Sequence, residues 1–199
     1  IAKAELGRMT ASTLTIGASS GTGNITVNNL VTANTANIST TLALVTNSDI
    51  SFSSNASAFT PGLDVDAGGT VTISVGLTGA TFDIDGTGTT TIGANGDINA
   101  SGAVAFGANK TGTLTTSGDI DTSNDAVRFY RAVTLGGDVD IDTDTGAGNI
   151  QFDWTIATGG NDLALDAGAS GNVTLSGALT GGGAMTVRDG AVQSYAALT

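Results

Sequence analysis

The sequence contains no cysteine and no histidine, and it has one proline and a single glutamate, Glu5. Without histidine, Ser-His-Asp and Cys-His catalytic arrangements are excluded, and the commonest zinc ligand is missing. The lack of cysteine fits a long exported bacterial chain, although many cytosolic proteins also lack it. No apolar run approaches the length of a membrane span, so we expect no membrane insertion.

Basic residues are also scarce. The sequence has six of them and 18 acidic residues, which gives a net charge of −12. Six cations cannot line a phosphate backbone, so we expect no nucleic-acid partner. Leucine, glutamate and lysine, which build amphipathic helices, are few. Glycine is abundant, with 30 residues, and so are the strand formers valine, isoleucine and threonine.

Apolar residues recur about every 23 residues, in three series. The first series keeps an almost constant step and consists of Phe59, Phe82, Phe106, Phe129 and Phe152, continued by Leu175 and Leu198. The second series consists of Leu30, Phe52, Val75, Ile98, Ile120, Ile141, Leu163 and Met185. The third, looser series consists of Ile92, Leu114, Leu135, Ile156 and Leu179, and extends back through Ile73, Ile50 and Val27. A fixed period of this length indicates stacked repeats.

Between these positions apolar and polar residues alternate, as in residues 139–142, and segments rich in glycine and asparagine separate the alternating stretches. Alternation indicates short strands with one buried face, and the glycine-rich segments indicate corners. We predict an all-β fold, a right-handed parallel β-helix (β-solenoid) with three strands per coil and about 23 residues per coil. An antiparallel sandwich is the alternative, but it has no reason to keep so constant a step. Residues 1–199 form a single solenoid domain in this interpretation, and we expect it to be a fragment of a longer chain.

The segment Glu5-Leu-Gly-Arg-Met-Thr-Ala-Ser-Thr-Leu-Thr-Ile-Gly17 resembles segments of filamentous-haemagglutinin-like exoproteins and other large bacterial repeat adhesins. Three units with the pattern Gly-Asn-apolar-x-apolar, at residues 23–27, 148–152 and 171–175, are similar to the same family. The resemblance implies a β-helical shaft segment that is exported and is extracellular or on the bacterial cell surface. It also implies a role in adhesion, biofilm formation or contact-dependent antagonism.

Four aspartates alternate along one predicted strand: Asp138, Asp140, Asp142 and Asp144. Alternation places them on its outer face, where carboxylate oxygens are candidates for weak Ca²⁺ binding. The alternative is a solvated face that discourages edge pairing. We predict no catalytic residue, no other metal site and no other cofactor.

Two of the six basic residues lie in the segment Arg128-Phe129-Tyr130-Arg131, and Trp154, the only tryptophan, follows Arg131 by one predicted coil. Adjacent coils would bring Arg131 and Trp154 together, which predicts a cation–π pair. Arg128, Tyr130, Arg131 and Trp154 are therefore candidate surface contacts, with host or surface glycans as the partner. A local packing contact is the alternative.

The sequence thus predicts a non-catalytic structural or adhesive shaft, and open strand edges at its ends predict end-to-end association of copies or coils. An ice-binding or carbohydrate-binding solenoid is one alternative, and a polysaccharide-acting enzyme with a deep carboxylate-lined groove is another. The ice-binding alternative is motivated by the pairs Thr13/Thr15, Thr70/Thr72, Thr89/Thr91, Thr113/Thr115 and Thr143/Thr145. By spacing alone, only Thr89/Thr91 and Thr111/Thr113 lie one coil apart, and that column then meets Val133. We therefore expect no regular threonine array.

Overall fold

A computed structural model describes residues 2–194 of the chain. It contains three parallel sheets that stack coil on coil into a β-solenoid of about 8 turns, with about 22 residues per coil. The prediction of an all-β, three-sided parallel solenoid is confirmed.

Most strands are short, because a corner interrupts each coil three times. Two short helical turns, α1 (Lys3–Leu6) and α2 (Thr32–Thr35), belong to the first two coils. In chain order the strands are β1 (Ala11–Ala18), β2 (Ile25–Val27), β3 (Ile38–Thr46), β4 (Ile50–Phe52), β5 (Ser57–Ala58), β6 (Gly62–Ala67), β7 (Val71–Ile73), β8 (Leu77–Gly79), β9 (Phe82–Gly86), β10 (Thr90–Ile92), β11 (Ile98–Ala100), β12 (Val104–Phe106), β13 (Leu114–Thr116), β14 (Ile120–Thr122), β15 (Val127–Phe129), β16 (Val133–Leu135), β17 (Val139–Asp142), β18 (Ile150–Phe152), β19 (Ile156–Ala157), β20 (Leu163–Asp166), β21 (Asn172–Leu175), β22 (Leu179–Thr180), β23 (Met185–Asp189) and β24 (Ala191–Ser194).

Each interior strand pairs in parallel with the strands one coil before and one coil after it. Sheet A has the order β1-β3-β6-β9-β12-β15-β18-β21-β24, sheet B the order β2-β4-β7-β10-β13-β16-β19-β22, and sheet C the order β5-β8-β11-β14-β17-β20-β23. Sheet C begins only at β5. Before it, α1 and α2 contact each other, and the Thr35 hydroxyl accepts a hydrogen bond from the Thr60 backbone N–H in the next coil.

Stacked phenylalanines fill the interior of the central coils. Phe106, Phe129 and Phe152 occupy one column of sheet A, with ring centroids 5.3 and 4.4 Å apart and ring planes 7° from parallel. Leu175 continues that column. All four side chains are buried, and offset stacking adds about 0.5–1.5 kcal/mol per ring pair to the gain from burial.

The first predicted series is wrong at its beginning. Phe82 pairs with Val104, while Ile84 is the residue in register with Phe106. Phe59 follows β5 and meets Phe52 and Phe82 edge-on. Leu198 lies outside the described residues.

The other two series mix neighbouring columns. Phe52 belongs to sheet B and pairs with Ile73, and Leu77 rather than Val75 pairs with Ile98. In sheet C, Leu163 pairs with Val139, while Ile141 pairs with Leu165. In sheet B, Leu114 pairs with Thr90 rather than with Ile92.

The errors have one physical cause, which is that most strands point two side chains inward, at alternate positions. A spacing of about one coil is therefore compatible with either inward position. Coil length also varies: in sheet B, the coil that leads from Val71 to its partner Thr90 is shorter than the coil that leads from Thr90 to Leu114. Sheet A keeps a constant step only from Val104 onward, through Val127 to Ile150.

Candidate functional site

A surface depression of about 300 Å³ lies at the corner between sheets A and B. It spans three successive coils and is lined by Lys110, Thr111, Gly112, Thr113, Tyr130, Arg131, Ala132 and Trp154. We call it the corner depression. It contains three of the four residues that the sequence marks as candidate surface contacts, and Arg128 lies beside it.

Trp154 is the exposed aromatic of the corner depression, with 61% of its surface accessible. Its backbone is held on both sides by bonds between coils: the Asp153 N–H donates to the Phe129 carbonyl, and the Thr155 carbonyl accepts from the Val133 N–H, each at 2.9 Å. Gly177 packs against the Trp154 backbone from the next coil, where a Cβ would overlap it. The indole therefore projects from a fixed corner.

Tyr130 is positioned by a network that joins its coil to the next. The Arg128 guanidinium carbon lies 4.2 Å from the centroid of the Tyr130 ring. Arg128 Nε and Nη2 donate to Asp153 Oδ2 at 3.2 and 3.0 Å, and Gln151 Nε2 donates to Asp153 Oδ1 at 2.6 Å. The cation–π pair at this corner thus joins Arg128 to Tyr130, and the predicted Arg131–Trp154 pair is wrong.

Arg131 is not a surface residue, because only 3% of it is accessible. Its Nη2 lies 3.6 Å from Asp85 Oδ1, and its Nη1 donates to the Thr90 hydroxyl at 3.0 Å. Gly107, at φ +80°, leaves the room for the guanidinium that a Cβ would fill. The backbone N–H and the side chain of Asn109 donate to Asp85 Oδ2, so the ion pair is covered by the loop after β12.

Sequence reasoning missed this buried ion pair, because Asp85 and Arg131 lie two coils apart and neither stands in the apolar series. Burial lowers the pKa of Arg131, and the Asp85 and Asp83 carboxylates oppose that change. Removing one partner of such a pair leaves an uncompensated buried charge. The pair therefore stabilises the corner beneath the depression.

The four candidate calcium ligands do not form a cage. Asp140 and Asp142 lie on β17 and both face Arg188, whose guanidinium also approaches Asp166. Asp144 is in the left-handed region at φ 64°, beyond the end of the strand. Within residues 2–194, no group of three or more acidic side chains is arranged to hold a metal ion. Calcium binding by Asp138, Asp140, Asp142 and Asp144 stays a prediction.

Several of the aspartates have a role that the sequence did not indicate. Asp138 Oδ1 accepts the Asp162 backbone N–H at 2.8 Å, one coil later, and Asp162 Oδ1 accepts the Ala184 N–H at 2.9 Å. Asp97, Asp119 and Asp49 bond in the same way to the N–H groups of residues 119, 140 and 70. These carboxylates connect successive coils.

A second depression, of about 360 Å³, lies on the outer side of sheet A, and Asp64 and Asp83 are its two acidic lining residues. Burial raises the pKa of Asp83 to about 6, with smaller contributions from Asp85 and Asp64. Burial also raises the pKa of Asp64.

The outer side of sheet B stacks more threonines on successive coils than spacing alone predicts. One column, in register, contains Thr26, Ser51, Thr72, Thr91, Thr115, Thr134, Ala157 and Thr180. The residues two positions earlier form a parallel column of Asp49, Thr70, Thr89, Thr113, Ala132, Thr155 and Ala178. We call these two columns together the threonine face.

The pairs Thr70/Thr72, Thr89/Thr91 and Thr113/Thr115 therefore stack on three consecutive coils. The Thr89 and Thr113 hydroxyls are 3.2 Å apart. The pairing expected from spacing was wrong because sheet B advances by unequal steps at these coils, a short one followed by a long one, rather than by a constant step.

No protein-family model, no curated protein and no solved structure matches the chain. In the part of the chain that the structure describes, no helix has the length and apolarity needed to cross a membrane.

Proposed function

We propose that this chain is a structural and adhesive shaft segment of a secreted bacterial surface protein, without catalytic activity. The observation that supports this proposal best is the unbroken stacking of parallel strands in all three sheets. The resemblance of residues 5–17 to filamentous-haemagglutinin-like exoproteins supports it too. Adhesion, biofilm formation and filament formation at the cell surface are the roles that such a shaft serves.

The ends of the solenoid support association of copies or coils. Among residues 2–194, β1, β2 and β5 toward one end and β22, β23 and β24 at the other pair with a strand on one side only. At the first end a depression of about 470 Å³ is lined by apolar residues, among them Ile16 and Ile25, and by polar ones such as Lys3 and Asn24. Unpaired edges of parallel strands accept further strands readily, so we propose that copies, or further coils of the parent chain, stack end to end.

The shaft proposal is tested by the state of association at increasing protein concentration. One copy is a rod about 40 Å long, from about eight coils at about 4.8 Å each. We expect sedimentation and electron microscopy to show rods that are multiples of this length. Ile16→Lys, which places a charge at the open end, should suppress them, whereas Thr134→Lys at mid-shaft should not. Monodisperse wild-type monomer at high concentration would contradict the proposal.

A second candidate function, binding to an ordered surface such as ice, is supported by the threonine face. Threonine hydroxyl and methyl groups repeat there at the strand spacing of about 4.8 Å and, along each strand, at about 6.7 Å. Asp49 at one end is the only ionisable residue of that face. Thermal hysteresis that is present in the wild type, lost in Thr91→Lys and kept in Thr78→Lys on sheet C would support this function; its absence in the wild type would exclude it.

A further inference from the structure

We propose that the corner depression binds an uncharged saccharide, with one pyranose ring stacked on Trp154. This inference deepens the adhesive part of the proposed function and rests on it. The site it names consists of Trp154, Tyr130, Thr111, Thr113 and Lys110.

The Trp154 side chain is exposed, and the backbone that carries it is held between coils. A tryptophan on a mobile loop loses conformational freedom when it binds, whereas here the backbone bonds of Asp153 and Thr155 hold the corner before any ligand arrives. A backbone that is already ordered reduces the conformational entropy that binding costs. The apolar face of a pyranose, with its row of C–H groups, fits a flat aromatic ring of this kind.

The groups around the indole are polar but carry little free charge. Thr111 and Thr113 are exposed hydroxyl residues, which can donate a bond to a sugar hydroxyl or accept one from it. Lys110 Nζ is paired with Asp66 Oδ1 at 3.0 Å, and Arg131 is paired with Asp85 below the surface. Both cations are thus neutralised by the protein itself.

The charge of the whole chain favours a neutral saccharide over an acidic one. A net charge of −12 repels a polyanion, and the two cations of the depression already have carboxylate partners. An acidic saccharide is therefore disfavoured, and a neutral hexose oligomer is the ligand that the depression suits.

The position of the depression along the shaft favours an oligomer over a single sugar. The depression spans the coils that contain Lys110, Tyr130 and Trp154, and it borders the threonine face at Thr113 and Ala132. An oligosaccharide that stacks one ring on Trp154 can extend over the uncharged threonine columns. A repeating glycan on a cell surface matches this elongated, uncharged strip.

The test uses the fact that Trp154 is the only tryptophan, so that all indole fluorescence of the chain reports on this site. The full chain is titrated with neutral oligomers of glucose, galactose, mannose and N-acetylglucosamine, and with oligomers of glucuronate as the acidic comparison. We expect a saturable change in emission with at least one neutral oligomer in the millimolar range and none with the glucuronate oligomers. Binding of the acidic oligomers alone, or no saturable change with any of them, would overturn the proposal.

Variants then locate the binding, measured by calorimetry or ligand-observed NMR because Trp154→Ala has no indole emission. Trp154→Ala should weaken binding by about tenfold or more, equivalent to about 1.4 kcal/mol, and Tyr130→Ala should weaken it less. Val31→Ala, which removes another exposed apolar side chain far from the corner, should bind as the wild type does. Equal affinity of Trp154→Ala and the wild type, with both folded by circular dichroism, would contradict the proposal. Failure here leaves the shaft function standing, because rod formation is measured separately.

Discussion

The threonine face on sheet B and the aspartate-rich outer side of sheet C use their polar groups in different ways. On and beside sheet C lie Asp97, Asp119, Asp121, Asp140, Asp142 and Asp166, and carboxylates such as those of Asp97 and Asp119 accept backbone N–H groups of the following coil. On sheet B, hydroxyls such as those of Thr89 and Thr113 bond to each other along the surface. Acidic side chains beside sheet C thus bond to the backbone of the next coil, whereas the hydroxyls of the threonine face bond to other side chains.

The largest expected effect on stability concerns Asp85, whose carboxylate is almost completely buried. Arg131→Leu should lower the free energy of unfolding by about 3–5 kcal/mol, because it leaves the Asp85 carboxylate buried without its partner. Asp85→Leu should cost a similar amount, and the double variant much less than the sum. Urea denaturation measures all three.

The matched control for this prediction is Arg128→Leu. The Arg128–Asp153 pair at 3.0 Å is partly exposed, and pairs of this kind contribute about 0–1 kcal/mol. Equal losses for Arg128→Leu and Arg131→Leu, or strictly additive losses in the double variant, would show that the buried pair has no special role.

The next prediction compares how much the two outer surfaces contribute to stability. Asp119 Oδ1 accepts the Asp140 N–H at 2.8 Å, so Asp119→Ala should cost about 1 kcal/mol of stability. Asp119→Asn should restore most of it, since an amide oxygen also accepts, as Asn149 does for the Asn172 N–H. Thr134→Ala on the threonine face should change stability by less than about 0.5 kcal/mol. Equal costs at Asp119 and Thr134 would remove the distinction between the surfaces.

The smallest expected effect is the pH dependence that Asp83 gives to the stability of the fold. Its pKa in the folded chain is about 6, above the ordinary value of 3.8, because burial disfavours the carboxylate. Between these two values the folded state holds a proton that the unfolded state has released, so this group's contribution to stability falls as the pH rises from about 4 to 6. Asp83→Asn should therefore raise the melting temperature at pH 7.5 by about 2–4 °C, on the scale of about 1 kcal/mol.

At pH 4 the same substitution should have almost no effect, because the wild-type carboxyl is then protonated in the folded state. Asp125→Asn removes the same charge at an exposed corner and serves as the control. A stabilisation by Asp83→Asn that is as large at pH 4 as at pH 7.5, or one matched by Asp125→Asn, would argue against a buried carboxylate as the cause.

The sequence predicted the architecture because the core is repetitive. A nearly constant step between phenylalanines can be recognised without knowing the structure of the corners, and it predicts the column Phe106-Phe129-Phe152 directly. The register between coils could not be predicted in the same way, since Phe82 and Ile84 both face inward. Only the strand pairing shows that Phe82 lies beside Val104 and Ile84 beside Phe106.

The candidate site was predicted in part for the same reason. Trp154 and Tyr130 do line one depression, because they lie one coil apart at the same corner. Arg131 was misplaced because it stands two positions after the inward-facing Phe129, so that its side chain also turns inward, toward Asp85. The threonine face was missed because it depends on coils of unequal length, which a constant period hides.

The inter-coil register is the claim on which both outer surfaces depend, and the absence of cysteine allows it to be tested with engineered pairs. Register places Thr91 beside Thr115, at a separation of neighbouring strands, about 4.8 Å, that a disulfide can span. Spacing alone would place Thr91 beside Thr113. We predict that Thr91→Cys with Thr115→Cys forms a disulfide rapidly under mild oxidation, while Thr91→Cys with Thr113→Cys does so slowly or not at all. The opposite order would contradict the register and, with it, the threonine face.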